Sequence, residues 1–166
     1  MVTRAKAFKF GDDVNTDYII SGRHKFKSID MDDMATHAME DLDPDYYGKV
    51  KPDGGFLVAG TNFGCGSSRE QAPLVLIHSY TLAVIAKSFA RIFFRNAINT
   101  GLPVVECDTD GIDDGDELDV DLEGGVLTNV SKGIEIPVKP LPPVMARLLE
   151  DGGLVEHFRK HGGFDV

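Results

Sequence analysis

The sequence contains few cysteines and no long apolar run. Cys65 and Cys107 are the two thiols among 166 residues, too few for a disulfide framework and too few to hold an iron–sulfur cluster, which needs three or four thiolates. No stretch approaches the roughly 18 to 20 apolar residues that cross a bilayer, and the first residues lack the apolar segment of a secretion signal. These absences predict a cytoplasmic protein without a membrane span or a cluster of its own.

Basic residues are also scarce. The chain has 17 Lys+Arg against 27 Asp+Glu, a formal net charge of −10. No basic residue lies between Arg95 and Lys132, a stretch rich in aspartate and glutamate. Nucleic acids and anionic membranes bind basic surfaces, so this balance argues against both as partners. We interpret the acidic stretch as a solvated region, because the Asp-x-Asp-Gly at 108–111 lacks the rest of a calcium loop.

The residues that are present predict one folded α/β domain over residues 1–166. A content of 42% hydrophobic residues suffices for an ordinary core, and the length is that of one domain. A strand is predicted at 5–10 and a helix at 31–40. In the middle third, strands alternate with helices, which is typical of parallel strands with crossover helices; the predicted strands are 56–59, 82–86 and 104–107, and the second helix is 88–99.

The helix before residue 79 contains Pro73, so it either kinks there or begins there. After Gly115 the pattern changes to short β runs joined by glycine-containing turns, which predict an antiparallel meander; the runs are 118–122, 126–130 and 134–138. Two short helices, separated by Gly152 and Gly153, close the chain. The sequence thus predicts a parallel α/β half joined to a β-rich half.

The most informative segment is residues 62–70, Asn-Phe-Gly-Cys-Gly-Ser-Ser-Arg-Glu, a Gly-rich turn between a buried strand and a helix. Free backbone N–H groups, the helix dipole and the Arg69 guanidinium would together hold a carboxylate or a phosphate. A hydroxyl among such donors could also act as a base. The structural alternative is a capping box, in which Ser67 and Glu70 only satisfy the first N–H groups of the helix. The residues alone leave both interpretations open.

Three segments resemble one known family. Residues 15–20 (Asn-Thr-Asp-Tyr-Ile-Ile), 64–70 (Gly-Cys-Gly-Ser-Ser-Arg-Glu) and 86–99 (Ala-Lys-Ser-Phe-Ala-Arg-Ile-Phe-Phe-Arg-Asn-Ala-Ile-Asn) are similar to the small subunit of 3-isopropylmalate dehydratase. That group is related to homoaconitase small subunits and to the swivelling fourth domain of aconitase. The resemblance covers nearly the whole chain, in order and in length. It implies an α/β fold, the three-layer β/β/α swivelling domain of the aconitase fourth-domain type.

The resemblance also implies a function. Such a domain closes over a large subunit whose cysteines hold a [4Fe–4S] cluster, so this chain would carry no cofactor and would be active only with that partner. The reaction is a dehydration and rehydration of a small hydroxy di- or tricarboxylate. We expect conversion of 2-isopropylmalate to 3-isopropylmalate in leucine biosynthesis, with homoaconitate or 2,3-dimethylmalate as alternative substrates. A non-catalytic swivelling carrier domain is the rival from another class, but it needs an exposed histidine where the Gly-rich turn has serines.

Site residues follow from the same resemblance. Ser67 matches the catalytic base, Ser68 a serine that hydrogen-bonds the substrate, and Arg69 the arginine that binds a substrate carboxylate. Asp17 matches an active-site aspartate that orients a neighbouring group or a residue of the partner. The structural alternative for Asp17 is a turn residue that bonds its own backbone.

Residues 22–28, Gly-Arg-His-Lys-Phe-Lys-Ser, form a basic loop in an acidic protein. In the family this loop contacts the group that distinguishes one substrate from another. Alignment with an aconitase-like Lys-Phe-Arg puts Lys27 at a carboxylate-binding position; because the loop is one residue longer than in close relatives, Lys25 is the alternative. His24 could also face the substrate. Otherwise the loop attracts anionic substrates only at long range.

The remaining candidates have weaker support from the pattern. Arg91 and Arg95 are four residues apart on one predicted helix and share a face, where they could contact the partner, acidic residues nearby or the substrate. The other histidines lie in predicted helices without the spacing of metal ligands, so no metal site is predicted; these are His37, His78, His157 and His161.

Overall fold

The structure is a computed structural model that describes residues 2–25, 30–51, 53–67 and 69–163. Within these ranges the chain forms seven strands and eight helices. The strands are β1 Val2–Lys9, β2 Gly55–Val58, β3 Thr81–Ala86, β4 Val104–Glu106, β5 Glu117–Asp121, β6 Val126–Asn129 and β7 Ile134–Pro137. The helices are α1 Thr16–Ile19, α2 Gly22–Lys25, α3 Met31–Ala35, α4 Tyr46–Val50, α5 Gln71–His78, α6 Arg91–Thr100, α7 Pro143–Glu150 and α8 Leu154–His161.

All seven strands belong to one sheet in the order β4-β3-β2-β1-β5-β6-β7. β1 is central: it pairs in parallel with β2, where Ala7 is opposite Phe56, and antiparallel with β5, where Ala5 is opposite Leu118. β2, β3 and β4 continue the parallel half, and β5, β6 and β7 form the antiparallel meander. Both predicted halves are therefore confirmed, with β1 joining them.

The sheet curls until its two edges meet. Cys107, after β4, forms an antiparallel bridge with Val138, after β7, and the Lys139 N–H donates to the Glu106 carbonyl oxygen at 2.9 Å. Apolar side chains from both arms of the curl fill its inside as one core. The helices cover the other face of the parallel strands over a second core. This arrangement is the predicted three-layer β/β/α fold.

Strand β2 contributes to both cores because successive side chains of a strand point to opposite faces. Phe56 and Val58 lie inside the curl, whereas Leu57 and Ala59 pack under the helices. Burial on both faces explains why β2 is an unbroken apolar run. Within the described residues, no helix is long and apolar enough to span a membrane.

Several helix boundaries differ from the sequence prediction. Helix α5 begins at Gln71, so Pro73 lies in its first turn, where a missing N–H breaks no helical hydrogen bond. Helix α3 ends at Ala35 and is followed by turns, which contradicts the predicted helix at 31–40. Three helices of four or five residues, α1, α2 and α4, were not predicted.

Candidate active site

Two loops that follow adjacent parallel strands run side by side and form the base of the site. The Gly64 N–H donates to the Val14 carbonyl oxygen at 2.8 Å, and the Thr16 N–H donates to the Cys65 carbonyl oxygen at 2.9 Å. The Thr16 hydroxyl donates to the Ser67 carbonyl oxygen at 2.9 Å. The loop after β1 therefore fixes the backbone of the Gly-rich turn after β2, at the carboxyl ends of the strands, where α/β sheets bind ligands.

Two positions of the turn require glycine because neighbouring side chains approach its backbone closely. Gly64 has φ +83°, and a Cβ there would clash with the Phe93 side chain of α6. Gly66 has φ +95°, and a Cβ there would lie 2.5 Å from the Asn15 side-chain oxygen. That oxygen accepts from the Asp17 N–H at 2.9 Å and caps α1. The turn thus packs directly on the start of the helix that carries Asp17.

Helix α6 joins the same site through a short bridge between Phe63 and Phe89. The Phe63 N–H donates to the Ser88 carbonyl oxygen at 3.0 Å, and the Ala90 N–H donates back to the Phe63 carbonyl oxygen at 2.9 Å. Ala90 occupies the N-cap position without a side-chain cap. The first backbone N–H groups of α6 therefore have no side-chain acceptor among the described residues, at the end of the helix where its dipole favours negative charge.

These three segments enclose a cavity of about 350 Å³. The loop after β1 contributes Thr16, the Gly-rich turn contributes Ser67 and Arg69, and α6 contributes Arg91 and Asn96. Small-molecule sites commonly have about this volume. The cavity combines two hydroxyl side chains, two guanidinium groups and two side-chain amides, the second being that of Asn62, which is a lining suited to a small anion.

The Ser67 hydroxyl is exposed and makes no hydrogen bond within the described part of the chain. Helix α5 begins four residues later, with Glu70 at the N-cap and no side-chain cap bond. The capping-box alternative is therefore wrong, because neither Ser67 nor Glu70 caps the helix. The hydroxyl lines the cavity instead.

Arg69 is held by two contacts that aim its guanidinium. Its Nη2 lies 2.7 Å from Asp17 Oδ1, and its Nη1 donates to the Ile20 carbonyl oxygen at 3.3 Å. The Arg69 side chain is 20% exposed, whereas that of Asp17 is 57% exposed. The structure thus brings Asp17 to the site through Arg69, and the guanidinium keeps further N–H donors for a ligand.

His24 is not among the residues that line the cavity; it belongs to a group of three that we call the His24 cluster (His24, His37 and Glu40). His24 is buried; its Nε2 lies 2.5 Å from Glu40 Oε1, and His37 Nδ1 lies 2.7 Å from Glu40 Oε2. The two imidazole rings stack with centroids 3.8 Å apart. The structure therefore does not bring His24 to Ser67 and Arg69; it places His24 at the joint between α2 and the turns after α3.

The pKa of Glu40 reflects two opposing effects. Partial burial raises it, but hydrogen bonds from His37, His24 and Arg23 outweigh burial and lower it to about 2. The Arg23 guanidinium lies 2.8 Å from Glu40 and also 2.8 Å from Asp41. Glu40 is therefore a carboxylate at neutral pH that ties α2 to the following segment.

Three predicted site residues cannot be located at the site. Ser68 and Lys27 lie outside the described residues. Lys25 ends α2, but its side chain is outside them too. Their assignments remain predictions from the sequence.

Two groups of three potential metal ligands lie within the described residues, although no metal site was predicted. One is the His24 cluster; the other comprises Asp151, His157 and His161. In both, the carboxylate already accepts from imidazole nitrogens and pairs with a cation, Arg23 in the first and Lys160 in the second. Ion pairing accounts for both groups. In the second group, His157 and His161 are four residues apart on α8 and share a face of that helix.

The cysteines do not fit an iron–sulfur cluster. Burial raises the pKa of the Cys107 thiol to about 12, so it is protonated at neutral pH, whereas cluster ligands are thiolates. Cys65 is half-buried in the Gly-rich turn. One available thiol cannot replace the three or four that a cluster requires.

Comparisons with known proteins show which family the chain belongs to. Residues 19–109 match the family model of the aconitase C-terminal domain. The chain is 57% identical over 161 residues to 3-isopropylmalate dehydratase small subunit 2 of Archaeoglobus fulgidus, which covers 97% of each chain. It is 49% identical to the methanogen homoaconitase small subunit of Methanothermobacter thermautotrophicus, over 96% of this chain and 92% of that one. The crystal structure of 3-isopropylmalate dehydratase (leuD) from Methanocaldococcus jannaschii superimposes with a TM-score of 0.93 at 43% identity, covering 98% and 96% of the two chains.

Proposed function

Because the chain belongs to the aconitase C-terminal domain family, we propose that it is the small subunit of a 3-isopropylmalate dehydratase. In this assignment it is a hydro-lyase subunit that acts with a large subunit and converts 2-isopropylmalate to 3-isopropylmalate. The relatives that carry this name include one that is 57% identical over almost the full length. The observation that supports it most directly is that Ser67 and Arg69 line one cavity, with Asp17 bound to Arg69.

The chemistry assigned to this chain is proton transfer and carboxylate binding. Dehydration breaks a C–H bond beside a carboxylate: the proton moves to a base, and the electron pair forms the double bond as the hydroxyl of the next carbon departs. Ser67 Oγ is the proposed base, since it is exposed and carries no competing hydrogen bond within the described residues. Arg69 binds the carboxylate on which charge develops, and Asp17 orients Arg69.

The departing hydroxyl needs a Lewis acid. Since the two thiols of this chain do not fit a cluster, we assign that role to a [4Fe–4S] cluster on the large subunit. The positive surroundings of Ser67 are this chain's own contribution: Arg69 and the start of α6 favour the charged form of a nearby hydroxyl. The active site is thus divided between two polypeptides.

Homoaconitate is the second candidate substrate, because a relative that is 49% identical is named a methanogen homoaconitase small subunit. Two relatives at 57% and 56% identity carry the isopropylmalate name, so homoaconitate is not favoured. A non-catalytic carrier would need a histidine on the Gly-rich turn. Among the described residues of that turn there is none, and His24 is bound to Glu40.

The test is co-expression with the large subunit encoded in the same genome, anaerobic reconstitution with iron and sulfide, and initial rates on three diacids or triacids. We expect the highest kcat/KM for 2-isopropylmalate, with homoaconitate and 2,3-dimethylmalate at least about tenfold lower, because one wrongly placed group costs roughly 1 to 3 kcal/mol. A preference for homoaconitate would reassign the substrate. Turnover of none of the three would contradict the proposed function.

A further inference from the structure

Helix α6 supplies a second cation to the cavity. Arg91 is exposed, lines the cavity and makes no ion pair or hydrogen bond within the described part of the chain. Asn96, on the same helix, also lines the cavity, and its side-chain amide likewise has no partner among the described residues. The Thr100 hydroxyl donates to the backbone carbonyl oxygen of Asn96 at 2.8 Å and leaves that amide free. Both side chains are therefore available to a ligand.

A shortage of carboxylates does not explain why Arg91 is unpaired. The chain carries 27 acidic residues, and several cations away from the cavity have partners, such as Arg4 with Asp119 at 2.6 Å and Lys87 with Asp110 at 2.6 Å. Arg69, the other arginine of the cavity, is aimed by Asp17. Arg91 thus adds to the cavity that contains Ser67 a positive charge with no carboxylate partner among the described residues.

We infer that Arg91, assisted by Asn96, binds a second carboxylate in this cavity, in addition to the one that Arg69 binds. The inference rests on the proposed function, since a malate-type substrate carries two carboxylates and Arg69 can face only one of them in a forked contact. A guanidinium binds a carboxylate through two parallel N–H bonds, and the Asn96 amide supplies a further donor. Ser67 then abstracts a proton from a substrate held at both ends.

Arg95 provides a matched control. It lies one turn after Arg91 on the same face of α6, is exposed like Arg91, and is absent from the cavity lining. Arg95→Gln removes the same charge at nearly the same place without touching the site. Comparing it with Arg91→Gln separates binding in the cavity from long-range attraction of an anion.

The experiment uses the reconstituted complex of the full chain with its large subunit. We expect Arg91→Gln to raise KM for 2-isopropylmalate at least about tenfold, Asn96→Ala to raise it less, and Arg95→Gln to leave it within about twofold. Arg91→Lys should restore only part of the loss, because an ammonium keeps the charge but not the fork. Equal effects of Arg91→Gln and Arg95→Gln would overturn the inference.

The second carboxylate could come from the large subunit instead of the substrate. The Kd between the subunits, measured for each variant, distinguishes the two sources. A raised KM with an unchanged subunit Kd supports binding of the substrate. A weakened complex whose KM returns to the wild-type value at saturating large subunit would assign Arg91 to the interface and overturn the inference.

Failure of the proposed function has a different signature, namely a wild-type complex that turns over none of the three substrates. The inference is then decided on the isolated chain with succinate as the probe, by following the arginine Nε–H resonances in NMR spectra. Shifts at Arg69 and Arg91 without a shift at Arg95 would support it. Succinate shifts at Arg69 alone, or none, would overturn it.

Discussion

The Ser67 hydroxyl makes no hydrogen bond within the described residues, so its proposed role depends on a bound ligand. We expect Ser67→Ala to lower kcat on the order of 10²-fold or more, as loss of a general base does. The free energy of unfolding should change by less than about 0.5 kcal/mol, because the side chain is exposed and caps no helix. Steady-state rates of the complex and urea unfolding of the isolated chain measure the two effects.

Ser131 is the matched control, because its hydroxyl accepts from the Glu117 N–H at 2.8 Å, far from the cavity in the meander. Ser131→Ala should show the opposite pattern, a loss of about 0.5 to 1.5 kcal/mol of stability with normal kcat. If Ser67→Ala behaved like Ser131→Ala, Ser67 would be a structural residue.

Asp17 acts on the site through Arg69 in this structure, at 2.7 Å from its Nη2. Asp17→Asn keeps the shape but removes the charge that aims the guanidinium, so we expect kcat/KM to fall about tenfold, or about 1.4 kcal/mol. If Asp17 works only through Arg69, adding Asp17→Asn to Arg69→Lys should cost little more than Arg69→Lys alone. Additive losses would mean that Asp17 contacts the substrate or the partner independently.

The Gly-rich turn is the element on which the site depends most. Gly66→Ala would force a Cβ to 2.5 Å from the Asn15 side chain at φ +95°; we expect it to cost about 1 to 2 kcal/mol of stability for the left-handed backbone, and to abolish most activity by displacing Ser67 and Asp17. Gly48→Ala in α4 is the control, since a Cβ there meets nothing within 4 Å. It should leave kcat/KM unchanged and raise stability by up to about 1 kcal/mol. Activity of Gly66→Ala equal to that of Gly48→Ala would contradict this placement.

The His24 cluster connects α2 to the turns after α3 and should respond to acid. Glu40 has a folded-state pKa of about 2 against an ordinary value of 4.5, so its stabilising effect is complete above about pH 4.5 and is lost as the pH falls towards 2. We expect the difference in unfolding free energy between wild type and Glu40→Gln to be largest above pH 4.5 and to shrink below it. Glu135→Gln, on the exposed face of β7, controls for net charge. A Glu40→Gln difference that is constant from pH 6 down to the acid transition would contradict the lowered pKa.

The regular elements were predictable from sequence because each carries its own pattern. Strands such as β2 and β3 are apolar runs bounded by glycine or polar turns, and α6 ends at Gly101 in the left-handed conformation. Helices α1, α2 and α4 have only four or five residues, too few for a periodic pattern, and form through tertiary contacts. In α4, for example, the buried Tyr46 hydroxyl bonds to the Thr81 hydroxyl at 2.7 Å. The predicted helix at 31–40 was too long because tertiary contacts end it early. Met39 adopts φ +59°, and its N–H donates to the Ile19 carbonyl oxygen instead of a helical one.

From the sequence, only those site residues could be predicted that are close to one another in the chain or belong to a family motif. Ser67 and Arg69 share one turn, and Asp17 was assigned by resemblance. Nothing in the sequence indicates that α6 begins beside that turn, because the bridge between Phe63 and Phe89 is a tertiary contact. The sequence therefore named Arg91 and Arg95 together as possible substrate contacts, and the choice of Arg91 with Asn96 in our inference rests on the lining of the cavity.

At the scale of the whole molecule, the packing predicts that the chain folds on its own, whereas the proposed function assigns it only part of the active site. Two cores fill the curled sheet and the helical layer, so the isolated chain should be folded and unfold cooperatively. The cavity, however, leaves Ser67 and its neighbour Ile92 exposed, Ile92 to 51%, and the thiols of this chain cannot hold a cluster. We therefore expect no dehydration of 2-isopropylmalate by the isolated chain, and activity that rises and saturates as the large subunit is added. The ultraviolet absorbance of the unsaturated product measures this.

Competition between Ser67→Ala and the wild-type chain for the large subunit tests quantitatively whether the active site is divided between two chains. Ser67→Ala keeps the fold and the surface of the chain, so it should bind the large subunit as tightly as the wild type does while forming an inactive complex. Added at increasing ratios to a fixed amount of wild-type chain and limiting large subunit, it should reduce the rate in proportion to its share of the total small subunit. A rate that stays constant would mean that Ser67→Ala does not assemble. Dehydration by wild-type chain purified free of iron and of large subunit would show that one polypeptide holds the whole site, and the division between two chains would have to be abandoned.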